Sequence, residues 1–266
     1  MFSPYYAWSG RRDPENHSAL NVALYGAGGK RWAMTERGRG ALSRSANVLA
    51  VGPSALRWDK GALTIDVNEI CTPLPRRLRG RIVIEAGSIN PQTFTLEAQG
   101  RHIWRPIAPS ARVRVEMSAP GLSWSGSGYF DMNSGAEPLE AAFKSWTWSR
   151  TRSRDGAMVL YDAERRREGP LSLALSFPAR GGCEPFAPPP QAPLPGTLWR
   201  LKRGTRSDDE RAQVIEGFED TPFYARALVA HQLGGEAVRS VHEGLSLERF
   251  ASPLVKAMLP FRMPRW

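Results

Sequence analysis

The chain has 266 residues, enough to bury an ordinary core in one large domain or two small ones. Its 36 Lys and Arg against 26 Asp and Glu give a formal charge of +10, which predicts attraction to acidic surfaces such as nucleic acid or an anionic bilayer. Cys71 and Cys183 lie far apart without C-x-x-C spacing, which argues against a disulfide framework or a zinc site and favours a reducing cytoplasm.

The first residues, "MFSPYYAW" (1–8), are aromatic enough for an inner strand but have no preceding turn and no evident partner. The stretch to residue 16 lacks the basic start and apolar core of a signal peptide, and no apolar run in the chain approaches the roughly 18 residues of a membrane span. We therefore expect a protein that is neither integral to a membrane nor secreted by that route.

Period-two alternation of apolar and polar residues recurs along the chain and predicts half-buried strands. The alternating stretches are "ALNVALYG" (19–26), "ALTIDVNEI" (62–70), "RIVIEAG" (81–87), "QTFTLEAQG" (92–100), "ARVRVEM" (111–117), "AMVLYDAE" (157–164), "LSLALSF" (171–177) and "AQVIEGF" (212–218). Clusters such as "GPS" and "DKGA" between them are typical of hairpin turns rather than of crossover helices. The pattern predicts an all-β, mostly antiparallel sandwich or barrel.

Two later segments depart from this pattern. "CEPFAPPPQAPLPG" (183–196) carries six prolines, which cannot donate to a sheet ladder, so we expect an extended loop. The tail from residue 246 to 266 places apolar residues at roughly helical spacing with basic residues between them, broken by Pro253 and Pro260. It predicts a short basic amphipathic helix that either packs on a barrel mouth or lies on a membrane surface.

Several familiar motifs are absent or wrongly spaced. "GAGGKR" (26–31) lacks the spacing of a phosphate-binding loop and precedes a strand, so we expect a hairpin turn there. No serine lies in a G-x-S-x-G elbow. The histidines are isolated from one another, which predicts no metal site; they are His17, His102, His231 and His242. The arginines are spread over the chain without a binding motif, so we expect no nucleic-acid partner.

One carboxylate lies among aromatic residues and attracts attention as a candidate site. In "RHIWRP" His102 and Trp104 share one face of a strand, and in "GYFD" Tyr129 and Asp131 do the same. If the two strands are neighbours, these four groups line one pocket. The pattern also fits ordinary barrel core, a turn-forming Asp131 and a satisfied buried histidine.

Six stretches in order resemble the carotenoid 1,2-hydratases, also called hydroxyneurosporene synthases, of purple photosynthetic bacteria. They are "FSPYYAWSGRRDPENHSALNVALYG", "RWAMTERGRGAL", "PLPRRLRGRI", "RHIWRPIAPSARVRVEM", "GYFDMNSGAEPLEAAFKSWTWSR" and "LPFRMPRW". The resemblance implies two lipocalin-like antiparallel β-barrel domains, over 1–105 and 106–245, followed by the tail at 246–266. Family members usually have an upstream segment before "FSPYYAW", so we expect the first domain to lack strands or Met1 to be annotated too far downstream.

The resemblance also implies a reaction, the hydration of the terminal C1–C2 double bond of an acyclic carotenoid such as neurosporene or lycopene, without a cofactor. Asp131 matches the proton donor of the family's Tyr-x-Asp position, and an aromatic enclosure would keep it protonated. Trp104 matches the family's His-x-Trp and would present its π face to a tertiary carbocation. Tyr129 would add a second π face or orient the acid, and His102 would orient Asp131 or accept the proton of the attacking water.

Other residues of this region are left outside the catalytic set. Trp124 is out of phase with Asp131 by strand alternation, and we interpret it as packing. Trp146 and Trp148 share a face and are interpreted as a rim of packed indoles. Glu137 and Glu140 are interpreted as part of a solvated loop.

The implied substrate suggests a partner and a location. A carotene dissolves in the bilayer, so we expect a peripheral enzyme on the cytoplasmic side that docks on an anionic membrane through its net charge and basic tail. Two alternatives remain, a non-catalytic lipocalin-like carotenoid or lipid-binding protein and a related polyene cyclase.

Overall fold

The computed structural model describes residues 2–26 and 30–266. The turn predicted within "GAGGKR" and the hypothesis about Met1 therefore lie largely outside the described residues. The strands of the described part are β1 (Ser18–Leu24), β2 (Arg31–Arg37), β3 (Leu42–Arg44), β4 (Val48–Val51), β5 (Ser54–Asp59), β6 (Ala62–Ile70), β7 (Arg77–Glu85), β8 (Phe94–Thr95), β9 (His102–Ala119), β10 (Gly121–Gly135), β11 (Phe143–Ser153), β12 (Gly156–Arg165), β13 (Leu171–Pro178), β14 (Glu184–Pro185), β15 (Gln191–Leu194), β16 (Arg203–Arg206), β17 (Ala212–Asp220), β18 (Tyr224–Leu233) and β19 (Glu236–Ser246). The helices are α1 (Pro4–Trp8), α2 (Leu139–Ala142), α3 (Leu247–Phe250) and α4 (Pro253–Met258), with short 3-10 helices at Pro14–Asn16, Arg39–Ala41 and Leu259–Phe261.

The first compact unit comprises Met1–Ala86, Ala111–Gly128 and Lys256–Trp266. Its hairpins join β3, β4, β5, β6 and β7 in antiparallel order, and β1 pairs separately with β2. The turn from β5 to β6 places Lys60 at φ 46° and Gly61 at φ 80°, the two positive values that a tight hairpin of type I′ requires. The predicted "DKGA" hairpin is thereby confirmed. The buried core of this unit includes Val22, Ala33, Val67, Cys71, Leu78, Val115 and Met117.

The second compact unit comprises Gly87–Ser110 and Tyr129–Val255. Its sheet has the antiparallel order β14-β13-β12-β11-β19-β18-β17. The short pair β15–β16 contributes buried Leu194 to a core cluster with Ala227 and Val229 of β18. A row of buried hydroxyl and imidazole groups lies on one face of β11, where Ser149 Oγ is 2.9 Å from His242 Nδ1 and 3.2 Å from Thr205 Oγ1.

Two long strands belong to both units, and this is where the domain prediction and the structure differ. β9 and β10 are neighbours in one sheet, and each begins in one unit and ends in the other. The compact units are therefore discontinuous in sequence, whereas the sequence analysis expects continuous segments that meet near residue 105. As ranges of independent domains, 1–105, 106–245 and 246–266 stay a prediction.

The predicted fold class, all-β with antiparallel sheets and a short C-terminal helix, is confirmed. Seven of the alternating stretches lie on strands, whereas in 92–100 only Phe94–Thr95 is a strand. None of the helices formed by residues 2–26 and 30–266 is both long and apolar enough to cross a membrane.

Two local expectations are wrong. The first residues form helix α1 rather than a strand, because Ser3 accepts a hydrogen bond from Tyr6 N at 2.9 Å and Pro4 occupies the first helical position. The proline-rich segment is not only loop, since β15 pairs with β16 and sets Pro193 opposite Gly204. β15 has one strand partner, and proline is tolerated on such an edge strand.

Candidate active site

The candidate site is built on the neighbouring strands β9 and β10, as predicted. Trp104 of β9 donates its indole N–H to Asp131 Oδ2 at 2.8 Å. Tyr129, two residues before Asp131 on the same face of β10, donates its hydroxyl to the same oxygen at 3.0 Å. Three of the four predicted residues are therefore joined by direct hydrogen bonds.

The surroundings of Asp131 favour its protonated form. Burial raises the pKa of Asp131 above its ordinary value, and the negative charge of Glu243 raises this pKa further. The hydrogen bonds from Trp104 and Tyr129 act in the opposite direction, because they stabilise the carboxylate. Burial also raises the pKa of Tyr129 well above 10, so its phenol stays a proton donor.

Aromatic rings surround the hydrogen-bonded group. Trp104 is fully buried, and its ring centroid lies 5.3 Å from Phe94 and 5.3 Å from Tyr161. Tyr129 packs against Trp148 with a centroid distance of 4.9 Å. Ring pairs at these distances stabilise by about 0.5–1.5 kcal/mol beyond the area that they bury. The two side chains that donate to Asp131 are thus themselves packed against aromatic rings.

Strand register places a further row of side chains on this face. Trp148 on β11 is paired with Tyr161 on β12 and with Glu243 on β19, and Glu243 is paired with Arg226 on β18. Directly opposed residues of antiparallel strands point to the same face. Sequence reasoning sets Trp148 aside and misses Tyr161, Glu243 and Arg226, because only the pairing of distant strands brings them together.

His102 does not contact Asp131. Its backbone N–H donates to Glu97 Oε1 at 3.1 Å, and its ring packs against Phe143 at a centroid distance of 5.1 Å. Its Nε2 is buried without a hydrogen-bond partner among the described residues and lies 3.8 Å from Glu137 Oε1. Burial lowers the pKa of His102, so the neutral imidazole is favoured. Its predicted place in the catalytic set stays a prediction.

The residues left out of the catalytic set have different surroundings. Trp124 is 50% exposed, so its interpretation as packing is wrong. Glu137 pairs with Arg101 at 2.6 Å, and no ion pair or hydrogen bond links it to Asp131. Trp146 packs against Phe143 at 6.2 Å, as expected for a packed indole.

Other possible sites of the described chain lie apart from these residues. A cavity of about 820 Å³ lies in the first unit, lined among others by Asp66, Arg79 and Glu116, and none of the four candidate residues lines it. Within residues 2–26 and 30–266, no cluster of three or more His, Cys, Asp or Glu side chains is placed to hold a metal ion. What the Asp131 group offers chemically is a carboxyl with a raised pKa that accepts hydrogen bonds from Trp104 and Tyr129.

Comparisons with known proteins show the family of the chain. The family described as carotenoid hydratase CrtC matches residues 1–266. The acyclic carotenoid 1,2-hydratase of Thiocapsa roseopersicina is 56% identical over 270 residues, which cover 100% of this chain and 67% of that protein. The proteins of the same name from Rubrivivax gelatinosus and Rhodobacter capsulatus are 46% and 41% identical over 100% of this chain, and the alignments cover 67% and 95% of those proteins.

A solved structure supports the fold alone. The protein assigned as AttH from Nitrosomonas europaea superposes with a TM-score of 0.56 at 10% identity, covering 85% of this chain and 80% of that one. The match over the whole chain and the identities above decide the family. The chain belongs to the carotenoid hydratase family and is an enzyme of the hydratase type, a lyase.

Proposed function

We propose that this enzyme adds water across the terminal C1–C2 double bond of acyclic carotenoids such as neurosporene and lycopene and yields 1-hydroxy carotenoids. The observation that carries the proposal is Asp131, a carboxyl whose pKa is raised by burial while two donors hold one of its oxygens. A trisubstituted alkene is a very weak base. Its protonation therefore needs a neutral acid held in place, and burial of Asp131 favours that form.

In the proposed reaction the proton of Asp131 moves to C2, a tertiary carbocation forms at C1, and water captures it. The hydrogen bonds from Trp104 and Tyr129 end on Oδ2, so in the proposed reaction we assign the transferable proton to Oδ1. Once the proton leaves, Trp104 and Tyr129 stabilise the new carboxylate, and the carboxylate stabilises the cation. Trp104 acts here as a positioning residue through its N–H. The rings of Tyr129 and Trp148 are available to the cation.

Asp131→Asn tests the proposal. The amide keeps the shape of the side chain but cannot donate a strongly acidic proton, so we expect hydration of neurosporene or lycopene to fall by about 10²–10⁴-fold. The matched control is Glu137→Gln, which neutralises a carboxylate outside the hydrogen-bonded group and should keep activity near that of the unaltered protein. Full activity of Asp131→Asn would remove Asp131 as the acid.

The same assay separates the alternative functions. In water enriched in heavy oxygen, a hydratase incorporates one solvent oxygen into the product. A polyene cyclase would convert the substrate without incorporating solvent oxygen. A carrier would bind the pigment and return it unchanged.

We also propose that the enzyme docks peripherally on an anionic membrane, on the cytoplasmic side. A tip surface in the first unit supports this, formed by the β6–β7 turn at 71–76 and the chain around Arg262, whose carbonyl accepts a hydrogen bond from Thr72 Oγ1 at 2.8 Å. Leu74 is 66% exposed and Phe261 is 74% exposed. Residues 70–81 contain four arginines and residues 256–266 three basic residues, of which Arg81 pairs with Asp66 and Arg265 with Glu36. Exposed apolar side chains among cations suit an anionic lipid interface.

A further inference from the structure

A hydration needs two proton transfers, because the alkene gains a proton and the attacking water loses one. Asp131 supplies the first in the proposed function. The second needs a group that is unprotonated, close to the acid and in contact with water. Since Asp131 has just become a carboxylate beside the cation, a separate group allows water to approach from another side.

Glu243 meets these conditions by position. Strand register sets it directly beside Trp148, and Trp148 packs against Tyr129, which holds Asp131. Opposed residues on antiparallel strands have Cβ atoms about 4.5–5.5 Å apart. Glu243 is therefore next to the aromatic side chains that surround Asp131.

The charge and exposure of Glu243 fit the role as well. Its Oε1 accepts a hydrogen bond from Arg226 Nη2 at 2.5 Å, which places a cation beside the Glu243 carboxyl. The side chain is 22% exposed, so one part of it meets solvent. Its negative charge raises the pKa of both Asp131 and Tyr161, which places it within electrostatic range of both groups.

The other titratable groups around this site are less suited to accept a proton. Tyr161 is neutral, since burial raises the pKa of its phenol. Arg226 and Arg150 are cationic and have no free lone pair. The His102 ring packs against Phe143, and its Nε2 lies 3.8 Å from Glu137 Oε1, so its neighbours differ from those of Asp131.

We infer that Glu243 binds the attacking water and accepts its proton when the oxygen bonds to C1. The inference rests on the proposed function. In the full cycle the Asp131 proton goes to C2, the water oxygen forms the C1–O bond, and the water proton goes to Glu243. Transfer of that proton to Asp131 through solvent restores both carboxyl groups, so the sum is alkene plus water giving alcohol.

Glu243→Gln in deuterated water, with lycopene as the probe, tests this inference. Without a proton acceptor the cation still forms but reverts by losing a proton, which leaves deuterium in recovered substrate. We expect hydration to fall about 10²-fold with KM little changed, while deuterium exchange into lycopene continues. Glu243→Asp should recover part of the hydration rate. The control is Glu236→Gln on the same strand, which neutralises a carboxylate paired with Arg154 at 3.1 Å and should leave both rates unchanged.

Three results would contradict the inference. Hydration by Glu243→Gln at the unaltered rate would remove its role. Glu243→Gln could unfold at the same temperature as the unaltered protein and yet lose hydration and deuterium exchange equally. That result would show that Glu243 only supports Asp131. Absence of hydration by the unaltered protein would instead overturn the proposed function, and the role of Glu243 with it.

Discussion

Oδ2 of the Asp131 carboxyl lies between two hydrogen-bond donors, and this arrangement fits the proposed role of Asp131 as proton donor. Oδ2 accepts hydrogen bonds from Trp104 and Tyr129, which stabilise the charge left after proton transfer. Burial of the carboxyl opposes ionisation before the transfer, and the net result is a raised pKa. Burial thus favours the protonated form, while the two hydrogen bonds stabilise the carboxylate that the proposed proton transfer would leave.

Removal of the Tyr129 hydroxyl, which donates to Asp131, should shift the pH dependence of hydration to higher pH. Asp131 must be protonated to react, so activity falls as pH rises through its pKa. The Tyr129 hydroxyl lowers that pKa, and Tyr129→Phe should therefore move the upper limb of the pH–rate profile to higher pH by about one unit. The maximum rate should fall about 10- to 150-fold, since a hydrogen bond to a charged group contributes about 1.5–3 kcal/mol.

The profile of kcat against pH for each variant measures this effect. Tyr5→Phe is the matched control, because its hydroxyl donates to Met263 O at 3.1 Å in the first unit and not to the acid. Its upper limb should coincide with that of the unaltered protein. A Tyr129→Phe limb at unchanged or lower pH would contradict the assignment of the limb to Asp131.

At the scale of single elements, the end of β10 approaches β9 so closely that only glycine fits. A Cβ built on Gly135 would lie 2.8 Å from His102 Nδ1 and 3.1 Å from His102 Cε1. The imidazole cannot easily yield, because it is 2% exposed and packs against Phe143. The contact fixes how β10 ends and where its Asp131 lies relative to Trp104.

Gly135→Ala should therefore destabilise the protein by about 1–3 kcal/mol, the usual result of overpacking, and lower hydration by displacing His102 and the strand end. Thermal unfolding and the hydration assay measure the two effects. Gly126→Ala is a control on the same strand, where the nearest atom to the added Cβ is 3.7 Å away, an ordinary contact. Equal unfolding temperatures for the two variants would show that the close approach carries no strain.

The sequence predicts those strands in which apolar and polar residues alternate along the chain. β6 was predicted with its observed bounds, because "ALTIDVNEI" alternates apolar and polar residues. β18 was missed, since Ala, Leu and Val occupy both of its phases and hide the alternation. In β9 the sequence predicts a strand at 111–117 and another around His102 and Trp104, and the structure joins both into one strand that runs through Pro106 and Pro109.

The candidate site was predictable only where it depends on local spacing. Alternation along β9 and β10 brings Trp104, Tyr129 and Asp131 together, and it also aligns His102 with Trp104. Residues two apart on a strand are about 6.6 Å from each other, which is enough to give His102 separate partners. Glu243 joins the site through the pairing of β11 with β19, and such long-range register cannot be read from a single sequence.

At the scale of the whole molecule, the structure shows where some of the residues behind the net charge of +10 lie. Basic residues without acidic neighbours in sequence meet exposed Leu74 and Phe261 at the tip surface. Each basic residue near an anionic bilayer contributes about 1 kcal/mol, and this attraction weakens as salt rises. The proposed function gives such a surface a use, since an acyclic carotenoid dissolves in the lipid phase.

We therefore expect the unaltered protein to co-sediment with vesicles containing anionic lipid at low salt and to dissociate as salt is raised. The double variant Leu74→Ser, Phe261→Ser should bind about tenfold more weakly, because burial of large apolar side chains contributes about 1.5–3 kcal/mol each when complete. Leu198→Ser is the control, since Leu198 is 90% exposed but belongs to the second unit. Equal binding by the double variant would place the contact elsewhere, and no binding by the unaltered protein would reject membrane docking. Because hydration in detergent needs no membrane, the double variant should keep its rate there, which separates docking from chemistry.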